Sequence, residues 1–159
     1  MNTHVLMNTR VWIALVCLLN LGLVGFAVAG QLSARVTGEE IQLRVEPVDP
    51  IDPFRGAYVD LSYTDISGRT TKQTGDAYVS LARRGQVWEA TGVATDRPAE
   101  GPFLKCHDDG WRLSCGIESL FVPQDRAREI ETEVNGGDAV AVVKVDSRGN
   151  AALVSVQTR

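Results

Sequence analysis

The sequence predicts a mainly β protein preceded by one N-terminal transmembrane helix. Residues 11–30 form an uninterrupted apolar run, and the chain after residue 40 alternates between short apolar segments and turn residues. We expect an antiparallel sandwich or a partly open barrel with one short amphipathic helix. The predicted parts are a cytoplasmic leader (1–10), a transmembrane anchor (11–30), a linker (31–40) and an extracytoplasmic β-rich domain (41–159).

The apolar run from Val11 to Gly30 contains no charged residue. A helix of about 20 residues crosses the hydrocarbon core of a bilayer, so this run predicts a single-pass anchor. Arg10 precedes the run and acidic residues follow it, which favours a cytoplasmic N-terminus and an extracytoplasmic domain. The alternative is a signal peptide cleaved after Ala29, although the run is longer than the about 7–15 apolar residues usual in such peptides.

The part of the chain beyond this run is acidic. It contains 15 of the 16 Lys and Arg residues and all 20 Asp and Glu residues, for a net charge of −5. Proteins that bind nucleic acid present a basic stripe to the phosphates, and anionic lipid surfaces attract basic segments. The composition therefore argues against both partners.

Short apolar segments predict eight strands in the domain. In the first strand Ile41, Leu43 and Val45 share one face. The other strands are predicted at residues 57–63, 77–82, 87–94, 103–106, 111–117, 140–145 and 151–156. Turn residues separate them at 65–68, 84–85, 109–110 and 147–150.

One segment, residues 123–134, predicts a helix instead of a strand. It begins with a proline, contains good helix formers and is followed by Asn135-Gly136-Gly137. Its apolar residues, Ala127, Ile130 and Val134, recur at helical spacing. We therefore expect a short amphipathic helix that lies on the sheet.

The most distinctive local pattern is EPVDPIDPFRG, starting at Glu46, which leads into the strand AYVDLSY. Each proline restricts its own φ and the conformation of the residue before it. Asp49, Asp52 and Arg55 therefore lie on a stiff loop that loses little entropy on binding. We predict that these three residues form an interaction loop.

These segments resemble the GDYXXLXY family of bacterial membrane-anchored proteins, which is named after a Gly-Asp-Tyr-x-x-Leu-x-Tyr motif. The motif positions in this sequence are Gly56, Tyr58, Leu61 and Tyr63, and Ala57 stands where the motif has aspartate. Residues 116–123 and 143–151 are also similar to the family, and the similarity covers about residues 36–157. The resemblance implies a membrane-anchored domain that accompanies a polytopic membrane protein.

Cys106 and Cys115 flank a predicted hairpin turn. Outside the cytoplasm such a pair more often forms a disulfide than a metal site. A zinc site would recruit His107 and Asp108, but the paired ligand spacing of zinc sites is missing. We therefore predict a disulfide and no metal site.

Two catalytic hypotheses are weaker than their structural alternatives. Ser62 and Lys72 could form a serine/lysine dyad, but Ser62 lies on a predicted strand without a nucleophile motif. Asp49 and Asp52 could act as an acid/base pair or bind calcium, which prefers six to eight oxygen ligands, although aspartates at turns usually bind nearby backbone. We predict no catalytic residues and no cofactor.

The function expected from these observations is an accessory domain at the bacterial inner membrane that binds another membrane or envelope protein. An extracytoplasmic ligand or cation sensor that uses the loop at residues 49–53 is the second hypothesis. An envelope hydrolase is the third.

Overall fold

The computed structural model describes residues 3–47, 58–123, 130, 132, 134, 136–137 and 139–158. In this part of the chain, one long N-terminal helix precedes nine strands, which form a curled mixed sheet with the shape of a half-barrel. The predicted fold class, mainly β with an N-terminal apolar helix, is confirmed.

The helix α1 covers Thr3–Thr37. The strands are β1 (Glu39–Pro47), β2 (Tyr58–Tyr63), β3 (Thr74–Arg84), β4 (Val87–Ala94), β5 (Phe103–Asp109), β6 (Leu113–Ser114), β7 (Ser119–Phe121), β8 (Ala139–Val145) and β9 (Ala151–Thr158). Their order in the sheet is β6-β5-β3-β4-β1-β2-β7, while β8 pairs with β1 and β9 pairs with β8. The pair β1 and β4 is parallel, with Leu43 beside Trp88, and makes the sheet mixed.

The helix extends further than the apolar run that predicts it. Residues 31–40 are not a linker in the structure, because α1 continues to Thr37 and β1 begins at Glu39. At this end of the helix α1 packs against β8 and β9, and Ala34 is its one fully buried residue. A single buried residue gives residues 31–37 only a weak apolar pattern. Contacts with the sheet therefore stabilise this last part of the helix, and the spacing of apolar residues in the sequence does not reveal such contacts.

Gly38 makes the sharp exit from the helix into β1. Its N–H donates to the carbonyl oxygen of Ala34 at 2.9 Å. A Cβ at this position would lie 2.2 Å from that oxygen and 2.9 Å from the backbone nitrogen of Val145. Only glycine fits at this position, so the chain passes from α1 into β1 with no space for a side chain.

The strands differ from the prediction mainly at the edges of the sheet. The segment predicted at 111–117 pairs only at Leu113–Ser114, and the sequence pattern does not predict the three-residue strand β7. These pairings depend on long-range contacts, such as the hydrogen bond from the N–H of Leu61 to the carbonyl oxygen of Glu118 at 2.7 Å. Short edge strands therefore leave little trace in the local pattern.

The hydrophobic core gathers buried side chains from β1 to β6 and from β8 and β9. The predicted face of β1, with Ile41, Leu43 and Val45, is buried. Beyond its first residue, the predicted helix at 123–134 is described at Ile130, Thr132 and Val134, and all three are helical. The side chains of Ile130 and Val134 are buried in the core, as expected, whereas Ala127 lies outside the described residues.

Candidate functional site

The carboxylate of Asp146 joins the helix to the sheet. Asp146 follows β8 at the start of the β8–β9 turn, and its side chain is only 2% exposed. The hydroxyl of Ser33, in α1, donates to Oδ2 at 2.6 Å, and the side-chain amide of Asn150 donates to the same oxygen at 2.8 Å. The backbone N–H groups of Arg148 and Asn150 donate to Oδ1 at 2.8 and 3.0 Å. One carboxylate therefore accepts hydrogen bonds from both the turn and the helix.

Hydrogen bonding keeps this buried carboxylate charged. Burial by itself would raise the pKa of Asp146, but the hydrogen bonds from Ser33, Asn150 and the backbone of Arg148 outweigh it. The pKa is lowered from 3.8 to about 2. The contact between helix and sheet is therefore charge-assisted, which makes it stronger than a neutral hydrogen bond.

Arg148 reinforces the same contact from the surface. Its Nη2 donates to Oγ of Ser33 at 2.7 Å and lies 3.5 Å from Oδ2 of Asp146. Just before Ser33 along the helix, a Cβ on Gly30 would lie 3.2 Å from Oδ1 of Asn150. The turn therefore meets α1 at the residue where the apolar run ends. We call this set of contacts among Gly30, Ser33, Asp146, Arg148 and Asn150 the junction.

A groove of about 380 Å³ lies beside the motif strand β2. Leu61 and Tyr63 line it and are buried, while Trp111, in the β5–β6 turn, also lines it and is 73% exposed. The hydroxyl of Tyr63 donates to the carbonyl oxygen of Ile117 at 2.7 Å. Burial, together with the nearby charge of Glu118, raises the pKa of Tyr63 above its ordinary value, so this phenol stays neutral. These two motif residues are scaffold for the groove.

The other predicted site residues on this side of the sheet are only partly covered. Tyr58 is the first residue of β2, and its side chain is not described. Gly56 and the predicted interaction loop, with Asp49, Asp52 and Arg55, lie outside the described residues. Their roles stay predictions.

The two cysteines meet across the β5–β6 hairpin. Their sulfur atoms are 2.02 Å apart, at disulfide distance. His107 pairs with Ser114 and Asp108 with Leu113, so the central turn residues are Gly110 and Trp111 and not the predicted Asp109-Gly110. This shift by one residue places Cys106 directly opposite Cys115.

Asp108 lies inside a second polar cluster. Its carboxylate accepts hydrogen bonds from the hydroxyls of Thr70 and Thr71 and from the backbone N–H groups of Thr71 and Gly110. Burial opposes its ionisation, but these hydrogen bonds outweigh burial and lower the pKa of Asp108 to about 2. The carboxylate thus holds the loop before β3 against the sheet.

Within the described part of the chain, no three His, Cys, Asp or Glu side chains form a group that could hold a metal ion.

The residues of the dyad hypothesis have other contacts. The hydroxyl of Ser62 lies 2.7 Å from that of Ser67. Lys72 has a φ of 62°, in the loop that Asp108 holds, and its backbone N–H donates to the hydroxyl of Thr70 at 2.9 Å. Ser62 and Lys72 thus take part in local hydrogen bonds of the kind that stabilise turns.

Sequence reasoning missed the junction and the Asp108 cluster. Ser33 and Asp146 are separated by 113 positions, so local patterns cannot pair them. The available signal was the turn Asp146-Ser147-Arg148-Gly149-Asn150, because an aspartate ahead of a glycine-containing turn commonly accepts hydrogen bonds from the turn backbone. That signal identifies the turn but not its contact with the helix.

The fold and the junction together define a class of protein: a β half-barrel carried on one N-terminal apolar helix that is long and apolar enough to cross a membrane, with a candidate span at Thr9–Thr37. The GDYXXLXY protein family matches residues 20–156. The chain belongs to this family, which confirms the resemblance and extends it into the helix. Comparison with curated proteins and with solved structures finds no match.

Proposed function

We propose that this chain is a membrane-anchored accessory protein whose β-domain lies outside the cytoplasm of a bacterium and binds another membrane or envelope protein. The observation that supports this function best is the junction. It connects the apolar helix to the half-barrel without a flexible linker, so the domain stays close to the bilayer surface.

Exposure of apolar side chains on α1 supports the membrane anchor. Large residues along the run are half exposed or more, for example Trp12 at 62%, Leu21 at 69% and Phe26 at 86%. No part of the candidate span's apolar window is buried against the described half-barrel. Such a surface in water would cost about 25 cal/mol per Å² of apolar area, whereas a bilayer covers it on all sides.

The position of the junction supports a partner in or near the membrane. The turn at Asp146 and Asn150 contacts α1 from Gly30 to Ser33, at the end of the apolar run. A domain fixed at that point has a short reach above the bilayer. Surfaces of other membrane proteins, or of envelope proteins that approach the membrane, lie within that reach.

Two observations support the proposed side of the membrane. Arg10 precedes the apolar run, which favours a cytoplasmic N-terminus. The cysteine pair at disulfide distance fits an oxidising compartment. Both support a location at the inner membrane with the domain on the outer side.

We propose the segment with Asp49, Asp52 and Arg55, whose prolines predict a stiff loop, as the docking surface for the partner. It leads directly into β2, whose buried residues Val59 and Leu61 fix that strand in the core. A loop that is restricted by prolines and mounted on a fixed strand loses little entropy on docking.

The test is purification of the tagged full chain in mild detergent together with its bound partner. Asp52→Lys should leave thermal stability nearly unchanged and reduce recovery of the partner that the wild type retains. Asp96→Lys is the matched control, because it reverses a charge on an exposed loop elsewhere and should retain the partner. If Asp52→Lys and the wild type recover the same partner in the same amount, the loop is not the docking surface.

Leu61→Ala separates loss of folding from loss of binding. Leu61 is 4% exposed, so its truncation should leave a cavity and lower the free energy of unfolding by about 2–5 kcal/mol. Cellular abundance should fall accordingly. If Asp52→Lys unfolds the domain while Leu61→Ala leaves it stable, the loop is a structural element and the assignment is inverted.

A further inference from the structure

A second groove, of about 320 Å³, lies between the C-terminal end of α1 and β7. Gln31 and Arg35 line it on the helix side, and Glu118 and Phe121 line it on the sheet side. The side-chain amide of Gln31 donates to the carbonyl oxygen of Gly116 at 3.4 Å and so connects the two walls. We call this space the helix-end groove.

The helix-end groove lies at the depth of the lipid headgroups if α1 spans the membrane, so a lipid-binding role for this groove rests on the proposed anchoring. The hydrocarbon core is about 30 Å thick and the whole bilayer about 40–45 Å, which leaves about 5–8 Å of headgroup layer on each side. At about 1.5 Å per residue, this layer corresponds to about three to five helical residues beyond Gly30. Gln31 and Arg35 fall within it.

The two walls carry opposite charges. Among the described residues, no hydrogen bond or ion pair engages the guanidinium of Arg35, and its carbonyl oxygen accepts from Nζ of Lys144 at 3.2 Å. The carboxylate of Glu118 accepts from the backbone N–H groups of Cys115 and Gly116. A carboxylate offers about four lone-pair sites, so Glu118 has acceptor capacity left.

Apolar surface continues from this charged pair towards the bilayer. Phe121 is 80% exposed at the groove, and Leu32 on the adjoining helix surface is 59% exposed. Below them the apolar run of α1 begins at Gly30 and extends down to Val11. A ligand with a charged head and apolar chains matches this order of surfaces.

We propose that the helix-end groove binds a zwitterionic phospholipid whose headgroup carries a phosphate and a primary ammonium, the phosphoethanolamine type. The guanidinium of Arg35 donates to the phosphate, for which its planar fork is suited. The carboxylate of Glu118 accepts from the ammonium. The acyl chains lie along Leu32, Phe121 and the apolar helix. The acidic net charge of the domain does not oppose this lipid, because the headgroup is neutral overall.

The test is a lipid titration of the intact full chain in dodecyl maltoside, monitored by native mass spectrometry. Phosphatidylethanolamine, phosphatidylglycerol and phosphatidylcholine with the same acyl chains are compared. Phosphatidylethanolamine should bind most tightly, because phosphatidylglycerol lacks the ammonium and the quaternary ammonium of phosphatidylcholine has no N–H donor. Arg35→Gln should weaken its binding about tenfold, the effect of one lost charge-assisted hydrogen bond.

Two further variants define the site. Glu118→Gln should abolish the preference for phosphatidylethanolamine over phosphatidylglycerol, and a thermal melt shows whether it remains folded. Arg44→Gln is the matched control, because Arg44 is exposed on β1 and lies 3.7 Å from Glu89. It should bind lipid like the wild type.

The proposal is overturned if Arg35→Gln binds lipid like the wild type, or if the wild type binds phosphatidylglycerol as tightly as phosphatidylethanolamine. Arg35→Gln alone is decisive if Glu118→Gln fails to fold. Carbonate extraction of membranes tests the anchoring separately. A chain that resists extraction but shows no headgroup preference overturns the lipid site alone, whereas a chain released by carbonate overturns the anchoring.

Discussion

Two buried aspartates connect parts of this chain that are distant in sequence. Asp108 holds the loop at Thr70 and Thr71, and Asp146 holds the helix at Ser33. Both carboxylates are buried, and in both cases hydrogen bonds outweigh burial and lower the pKa to about 2. At these points individual polar residues hold loop, helix and sheet together.

Stability should therefore depend on pH in the acid range. The pKa of Asp146 is about 2 in the folded protein and near 3.8 in the unfolded chain, so the unfolded chain takes up the proton first as pH falls. The stabilisation is complete above pH 3.8 and is lost as pH falls towards 2. Chemical denaturation of the full chain in detergent between about pH 2 and pH 6 measures this loss.

Asp146→Asn should lower the free energy of unfolding by about 1–3 kcal/mol near pH 6, because it removes an ionised acceptor from the junction. It should also make the free energy of unfolding less dependent on pH. The pH dependence that remains would come from Asp108. Asp96→Asn, on an exposed loop, is the control and should leave both quantities unchanged. An Asp146→Asn profile that parallels the wild type would show that Asp146 titrates normally.

At the scale of elements, the turns decide which side chains meet. In the β5–β6 hairpin the turn residues are Gly110, with a φ of 87°, and Trp111. A positive φ at the first central position suits the primed turns of two-residue hairpins. A turn centred one residue earlier would place the cysteines diagonally, so the position of this glycine determines their pairing.

We predict that Cys106 and Cys115 are oxidised in the mature protein. The bond would close a ten-residue loop, since the two positions are nine apart, and stabilise the domain by about 2–3 kcal/mol. Maleimide labelling of unfolded protein before and after reduction measures the free thiols. Cys17, which lies on the exposed surface of α1, serves as the internal reference. Equal labelling of all three cysteines without reductant would contradict the prediction.

The β8–β9 hairpin depends on a glycine in the same way. Gly149 has a φ of 83°, and a Cβ there would lie 2.4 Å from the ring of Phe103 and 3.0 Å from the backbone nitrogen of Lys105. Gly149→Ala should therefore cost more than the about 1–2 kcal/mol of left-handed strain alone. Gly85→Ala, with a φ of 67° and open space around it, isolates the strain. Similar melting temperatures for both variants would mean that the turn moves away from Phe103 easily.

At the scale of the molecule, the apolar helix α1 is joined to the half-barrel by direct contacts with β8 and β9. The first consequence concerns the membrane. The full chain should keep its N-terminus and stay in the pellet after carbonate extraction, because about 20 apolar residues suffice to span the bilayer. N-terminal sequencing and extraction of native membranes measure both. A soluble protein that begins at Gly30 would identify residues 1–29 as a cleaved signal peptide.

How much of this architecture the sequence predicts depends on the range of the interactions. The face of β1 with Ile41, Leu43 and Val45 is predictable, because one side of a strand is buried and the alternation is local. The helical end at Ala34 and the strand β7 are not, because contacts from distant segments stabilise them.

The candidate sites show the same division. Leu61 and Tyr63 are predicted from the motif and lie beside a groove, as buried scaffold. Ser33 and Asp146 meet through a hydrogen bond between residues 113 positions apart, whereas Arg35 and Glu118 line the same groove because of where the helix ends. No local composition predicts either arrangement.

If α1 spans a membrane, its continuity through Gly30 into the junction makes bilayer thickness a variable for the half-barrel. Spanning helices adjust to a thinner bilayer by tilting, and about 20° is the average tilt. A helix that ended in a flexible tether would absorb such a tilt below the domain. Here Ser33 and Asp146 join the helix to the half-barrel, so a tilt of a membrane-spanning α1 would turn the sheet with it. The direction in which the half-barrel faces its neighbours would then depend on the lipids around α1.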